Sequence, residues 1–394
     1  MADAKRPGDS TRSVHGGERE AHADSSLTTP IHQTATFWFP NSEELRAYAE
    51  GQLARDEYGR YGNPTWRAVE RKLNELEGAE ESVLFASGMA AATTTFLALL
   101  DRGDHIVVTN DCYRRTRQFI QQLLSKLEVT ATVIEPADPI ALKAALRDET
   151  KLFFTESPTN PYLRVIDVPE TVSVAHERDV KVLIDSTFAS PVNHRPLDDG
   201  ADLVIHSATK YLGGHNDLIA GTVSGKSEIV TPIRNLVGVL GAILDPHAAW
   251  LLLRGMKTLG LRMERHNANG LAVASWLERH PKVRRVWYPG LQSHPDYSVA
   301  TRQMRGFSGV VTFEVEGDLE ATIRFTDACS LPYIAPSLGG VESLVEMPVL
   351  MSYWDYPAEE RKQYGITDSL VRLSCGVEDA ADLIADLEQA LGRV

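Results

Sequence analysis

Apolar residues recur along the chain in two rhythms. Short runs rich in Val, Ile, Leu and Phe, each followed by a polar cluster, read SVLF, HIVVTN, VTATVIEP, KLFFTESP, KVLID and DLVIH. Near-continuous apolar runs of this kind suit strands buried on both faces of a sheet. Between them lie GMAAATTTFLALL, RRTRQFIQQLLSKLE, PIALKAALRDET and VPETVSVAHERD, which read as helices. Such alternation predicts an α/β fold, a mostly parallel central sheet with helices on both faces. Ahead of it, Asn63-Pro64-Thr65 opens a helix from Trp66 to Glu77. Its Val69, Leu73 and Leu76 share a face, and Gly78 stops it.

The pattern changes towards the C-terminus. LIAGTVSG reads as a returning strand, and HAAWLLLRGMKTLGLRMERHNANGLAVASWLERH carries a long amphipathic pattern with a domain boundary expected near Met256. Beyond it VRRVWYPG and GVVTFEVEG read as strands. ATIRFTDAC and AADLIADLEQALGRV read as helices, the latter with apolar residues at helical spacing. At the other end, residues 1–57 are polar and then loosely apolar, without a long periodic segment. The expected organisation is an N-terminal arm lying on a neighbouring subunit (1–57), a large domain (58–255) and a smaller C-terminal α+β domain (256–394).

Composition narrows the classes of function. With 394 residues and a formal net charge of −14, the chain is a poor candidate for binding nucleic acid or an anionic membrane. No apolar run approaches the ~18 residues of a membrane span. The first 26 residues mix Asp3, Lys5, Arg6, Asp9, Arg12, Glu18, Arg19 and Glu20, which suits neither a secretory signal nor a transit peptide. Cys112, Cys329 and Cys375 stand far apart with no metal-ligand spacing. The expectation is a cytoplasmic, reducing compartment with no disulfide framework and no metal.

The chemistry gathers at the ends of two expected strands. KVLID delivers Asp185, and DLVIHSATK delivers Ser207, Thr209 and Lys210. Taken singly, a lysine after a strand is ordinarily a solvated loop residue, and Ser or Thr there a cap or turn residue. Together they match what pyridoxal phosphate asks of a protein: an amine for its aldehyde, an anion opposite its ring nitrogen and donors for its phosphate. The small residues at Ser87-Gly88-Met89, where a strand meets a helix, expose backbone N–H groups, so Gly88 and Met89 join the phosphate candidates. No GxGxxG follows the first strand, which disfavours a dinucleotide-binding domain.

The segment DSTFASP with GADLVIHSATKYLGGHND closely resembles the Cys/Met-metabolism family of pyridoxal-phosphate enzymes. Further matches are EYGRYGNPT, FASGMAA, DCYRRTRQF, FTESPTNPYLRVID, RGMKTL, YPGLQSHP, SLGGVESL and VRLSCGVED. CYRRTRQF, PYIAPS and MSYWDYP look most like its plant-type cystathionine γ-synthase branch. The resemblance implies the aspartate-aminotransferase-like fold type I and a homo-oligomer, a dimer of dimers, with active sites shared between subunits. It implies that Tyr58 and Arg60 reach a partner's phosphate site, Tyr58 also contacting substrate, and that Tyr113 stacks on the pyridine ring and assists proton transfer. Asn160 would lie near the cofactor's 3′-oxygen and the substrate carboxylate, with Thr187 a secondary cofactor contact. Arg372 would take the α-carboxylate beside Ser337, against the plainer reading of an ion pair with a residue such as Glu378.

Catalytic Lys210, Asp185 and Tyr113 would then serve γ-replacement: an O-phospho-, O-succinyl- or O-acetyl-L-homoserine ester plus L-cysteine giving L-cystathionine. The same residues suit a γ-lyase or γ-substitution with another nucleophile in specialised metabolism, and an idle binding scaffold is the remote alternative. Arg114, Arg115 and Arg117 read either as a solvated helix face or as receivers of an anionic leaving group. Pro336 departs from the acidic residue that several synthases and lyases carry before this serine.

Overall fold

A computed structural model describes residues 7–18 and 25–394; the targeting and arm readings of residues 1–6 and 19–24 lie outside the described residues. Seven strands form the larger sheet: β1 (Glu81–Phe85), β2 (His105–Thr109), β3 (Thr130–Ile134), β4 (Thr150–Glu156), β5 (Lys181–Asp185), β6 (Leu203–His206) and β7 (Gly221–Gly225). Their order is β1-β7-β6-β5-β4-β2-β3, and only β7 runs antiparallel to its neighbours. Side-chain alternation explains the apolar runs. Ile106, Val108, Phe154, Leu183 and Ile205 pack on one face against Phe96 and Ile233, while Val107, Phe153, Val182 and Ile184 pack on the other against Leu142 and Val172.

The second sheet comprises β8 (Val283–Trp287), β9 (Val310–Val315), β10 (Tyr333–Ile334), β11 (Leu344–Glu346) and β12 (Leu370–Ser374), in the order β10-β11-β12-β9-β8. Val311, Phe313, Val371 and Leu373 turn to a core shared with Val273, Phe325, Leu383 and Leu387 from three helices. Period-two alternation therefore sends Arg372 to the opposite face. The long amphipathic stretch forms two helices, Pro246–Met256 and Leu259–Leu277, interrupted at Lys257 and Thr258.

The N-terminal segment departs in part from an extended arm. It holds two short helices, Asp9–His15 and Ser42–Ala49, and the first packs on its own chain. Arg12 donates to the Glu75 carbonyl at 2.9 Å. Lys72, fully buried, donates to the Ser13 carbonyl at 2.7 Å and pairs with Glu18 at 2.7 Å. Seven helical residues are too few to leave a legible period, and their anchor is polar. Farther along, Leu27, Trp38 and Tyr61 remain exposed.

Candidate active site

The parallel strands β2, β4, β5 and β6 end along one edge of the sheet, where open α/β sheets bind ligands. A cavity of about 350 Å³ opens there. Its walls bring together Gly88, Met89, Tyr113, Asn160, Asp185, Thr187, Ser207, Thr209, Lys210, Ser337 and Arg372. Two larger, more open hollows flank it, sharing Asn160 on one side and Thr209 and Ser337 on the other.

Asp185 terminates β5. Its Oδ1 accepts from the Thr187 backbone at 3.0 Å and from the Thr187 hydroxyl, which itself accepts from Ser207 N at 2.8 Å. Burial raises the carboxyl above its ordinary range; the Thr187 bonds and the nearby His206 oppose that rise. Lys210 follows β6, and its Nζ donates to Ser337 Oγ at 2.6 Å. Its pKa is pushed down to about 8, first by burial and then by Arg372, with Glu346 acting in the opposite sense.

The phosphate candidates form the next layer. Helix Gly88–Leu99 begins at the cavity, with Ser87 Oγ capping Ala90 N at 3.0 Å. A Cβ on Gly88 would stand 2.8 Å from Ser207 Cβ, so glycine is what lets the helix start this close to the Ser207 turn. Thr209 Oγ1 exchanges bonds with the backbone of Ala220 at 3.0 and 3.2 Å. An amine, a carboxylate, an exposed tyrosine ring and an N–H-rich helix start thus converge in one cavity, the donor set that pyridoxal phosphate needs.

Arg372, 6 % exposed, reaches the cavity from β12. Its Nη1 donates to Asn160 Oδ1 at 3.0 Å and its Nη2 to the Ser337 carbonyl at 3.0 Å, while its buried Nε has no partner among the described residues. Its ion-pair partner is Glu346, at 3.1 Å, and not Glu378, which accepts from Ser343 N and Oγ. Ser337 sits at φ +96°, a conformation costly for a residue with a Cβ, and both its carbonyl and hydroxyl are held.

Some sequence candidates lie elsewhere. Tyr58 and Arg60 are absent from the cavity of their own chain. Tyr58 is exposed, and Arg60 donates to the Gly238 carbonyl at 2.5 Å and lies over the Tyr61 ring. Arg114 pairs with Asp355 at 2.7 Å, and buried Arg117 donates to the Asn110 carbonyl and stacks over Tyr364. Those contacts dock the 353–364 segment and explain two of the three arginines without a leaving group; Arg115 bonds Gln118. Cys112 is a buried thiol, and burial pushes its pKa up.

Two carboxylates of the cavity wall escaped the sequence reading. Glu156, at the end of β4, accepts from Tyr113 N and is driven well above the carboxylate range by burial and by Asp185. Glu346 ends a strand too short to read from alternation. The available signals were a carboxylate closing the apolar run KLFF and another closing SLV.

Comparison with known proteins agrees with this geometry. The family described as Cys/Met metabolism PLP-dependent enzyme matches residues 10–392. The chain is 53% identical over 389 residues to the chloroplastic cystathionine gamma-synthase 1 of Nicotiana tabacum, covering 98% of this chain and 72% of that one. It is 42% identical to the L-methionine gamma-lyase of Pseudomonas putida, covering 98% of each chain. The crystal structure of metB from Corynebacterium glutamicum superposes with a TM-score of 0.92 at 39% identity, covering 98% of each chain.

Proposed function

The chain belongs to the Cys/Met metabolism PLP-dependent enzyme family, and from that premise we propose that it performs the γ-replacement of a cystathionine γ-synthase. An activated L-homoserine ester, O-phospho, O-succinyl or O-acetyl, would react with L-cysteine to give L-cystathionine. The observation that carries this reading is Lys210, an amine of lowered pKa in one cavity with Asp185, a helix start and Arg372.

Pyridoxal phosphate, when bound, supplies an aldehyde for the lysine amine and a conjugated ring that takes up electrons released at the substrate carbons. The residues of the chain do the rest. The N–H groups of Gly88 and Met89, with Ser207 and Thr209, would hold the phosphate, and Asp185 would supply the counter-charge for a protonated ring nitrogen. Tyr113, exposed on the cavity wall, would pack against the ring. Arg372, Asn160 and Ser337 receive the α-carboxylate, for which a guanidinium offers paired donors. Lys210, with a pKa near 8, keeps a neutral fraction at neutral pH and moves protons at the α- and β-carbons. At the γ-carbon the C–O bond to the leaving group breaks and a C–S bond forms, the thiol losing its proton, with no net oxidation.

The active unit in this reading is at least a dimer, because Tyr58 and Arg60 serve a neighbour, and the family resemblance extends it to a dimer of dimers. Their distance from their own cavity supports sharing. Two sheets with separate cores, and the interruption after Met256, support domains of 58–255 and 256–394. Free cysteines support a cytoplasmic, reducing compartment; among the described residues no helix is long and apolar enough to cross a membrane.

Product analysis by mass spectrometry tests the reading, using each ester with and without L-cysteine. Cysteine-dependent cystathionine from one ester is the expected result and names the donor. 2-Oxobutanoate and ammonia in its place would assign γ-elimination, the reading favoured by the identity to a methionine γ-lyase.

A further inference from the structure

Behind the turn that carries Ser207 and Lys210, two titratable side chains meet away from solvent. Glu77, the last residue of helix Pro64–Glu77, is fully buried, and its Oε1 lies 2.5 Å from Nε2 of His206, which closes β6 and is 1 % exposed. Glu77 Oε2 has no hydrogen-bond partner among the described residues. Neither residue lines the Lys210 cavity. A buried ion pair adds little to stability over apolar residues of equal volume. A reason for this one is better sought in its neighbours.

His206 lies one residue beyond Ile205, the register partner of Asp185, and it bonds the backbone of Ser186, the residue after Asp185. On its other side comes Ser207, whose N–H donates to the Thr187 hydroxyl, and that hydroxyl donates to Asp185 Oδ1. The imidazole is thus fixed against the end of β5 from two directions. Burial opposes a charge on it, but Glu77, Asp185 and the Ser186 bond outweigh burial and raise its pKa. On β7 its register partner is the uncharged Thr222, and on β4 Glu156, opposite Asp185, is driven towards its neutral form. His206 is the charged group that favours an ionised Asp185 against the effect of burial. We propose that Glu77 and His206 are positioning residues for the cofactor: Glu77 holds His206 as an imidazolium, and that cation holds Asp185 as the anion facing the ring nitrogen of pyridoxal phosphate. This inference rests on Asp185 being the partner of that nitrogen.

The test follows two quantities across pH: the dissociation constant of pyridoxal 5′-phosphate for the cofactor-stripped full chain, and kcat/KM of the holoenzyme with the homoserine ester it uses. Glu77→Gln, whose amide can still bond the imidazole, removes the charge. Burial then neutralises His206, and Asp185 takes up its proton at higher pH. The acidic limbs of both profiles are expected to move up by about one pH unit, as for one charge lost several ångströms away in a medium of effective dielectric near 20. Glu77→Gln combined with His206→Gln leaves a neutral pair in the same place; it is expected to show the same shift and no more, and it stands in if the single variant fails to fold. A purely structural pair would lower the melting temperature and leave both limbs where they were. That result in the folded variants overturns the proposal. Asp185→Asn tests the premise separately, because it should abolish the acidic limb of cofactor binding. If that limb persists at its unaltered pH, the reading of Asp185 itself falls, and the role of the pair with it.

Discussion

Replacing Thr187 by Val removes one hydroxyl from the floor of the cavity while nearly keeping the volume of the side chain. That hydroxyl donates to Asp185 Oδ1 and accepts from Ser207 N at 2.8 Å; the backbone bond from Thr187 N to the same carboxylate oxygen, at 3.0 Å, survives the substitution. A hydrogen bond to an ionised group contributes about 1.5–3 kcal/mol. Because Thr187 opposes the burial that raises Asp185, its loss drives the carboxyl further up. More of it is then neutral at a given pH, and the proton on the cofactor's ring nitrogen loses its counter-charge. kcat/KM near pH 7 is expected to fall roughly 10- to 100-fold, and the acidic limb of its pH profile to move to higher pH. Thr187→Ser, which keeps the hydroxyl, serves as the control and should retain most of the activity. Steady-state kinetics across pH on holoenzyme, with circular dichroism to confirm folding, makes the measurement. Activity within about threefold of the unaltered chain, with the acidic limb unmoved, would refute the reasoning.

Arg372→Lys replaces a fork held by Asn160, Ser337 and Glu346 with a point charge; KM for the amino-acid ester should rise by about 10- to 100-fold with a smaller change in kcat. His266 is fully buried beneath Tyr211, with Nδ1 bonded to the Cys375 carbonyl at 2.8 Å, and burial pushes its pKa down to about 4 from 6.5. The unfolded chain therefore binds the proton first as pH falls, so stability is full above about 6.5 and is lost progressively towards 4; between pH 7 and pH 5 the loss is about 2 kcal/mol, which denaturant unfolding should find reduced in His266→Gln. Arg60→Ala and Lys210→Ala chains should each be inactive alone, yet regain part of the activity when unfolded and refolded together, because mixed dimers hold one intact site; no recovery, with mixed dimers present by mass spectrometry, would rule out sites shared between subunits.

Much of the architecture was legible because burial on two faces leaves a one-dimensional trace. The runs HIVVTN, KLFFTESP, KVLID and DLVIH became β2, β4, β5 and β6, and Glu156, Asp185 and Ser207 at the ends of the last three line the cavity. Lys210, Asp185 and Ser207 could be picked out since each stands directly beyond an apolar run. Short elements left no such trace. Asp9–His15 and Leu344–Glu346 span too few residues for a period to emerge, so the docking of the first segment on Lys72 and the pairing of Arg372 with Glu346 went unread.

The sequence by itself determined which residues could do chemistry and the strand ends from which they would act, because periodicity and strand termination are local properties of the chain. Only the tertiary structure decided which of them meet. Asn160 and Arg372 lie 212 positions apart and bond at 3.0 Å; Lys210 and Ser337 lie 127 apart and bond at 2.6 Å. Charge balance in the cavity likewise depends on sheet register, since it is the β11–β12 pairing that sets Glu346 rather than Glu378 against Arg372. Desolvation and through-space charge act over a few ångströms in three dimensions, and sequence spacing carries no measure of either.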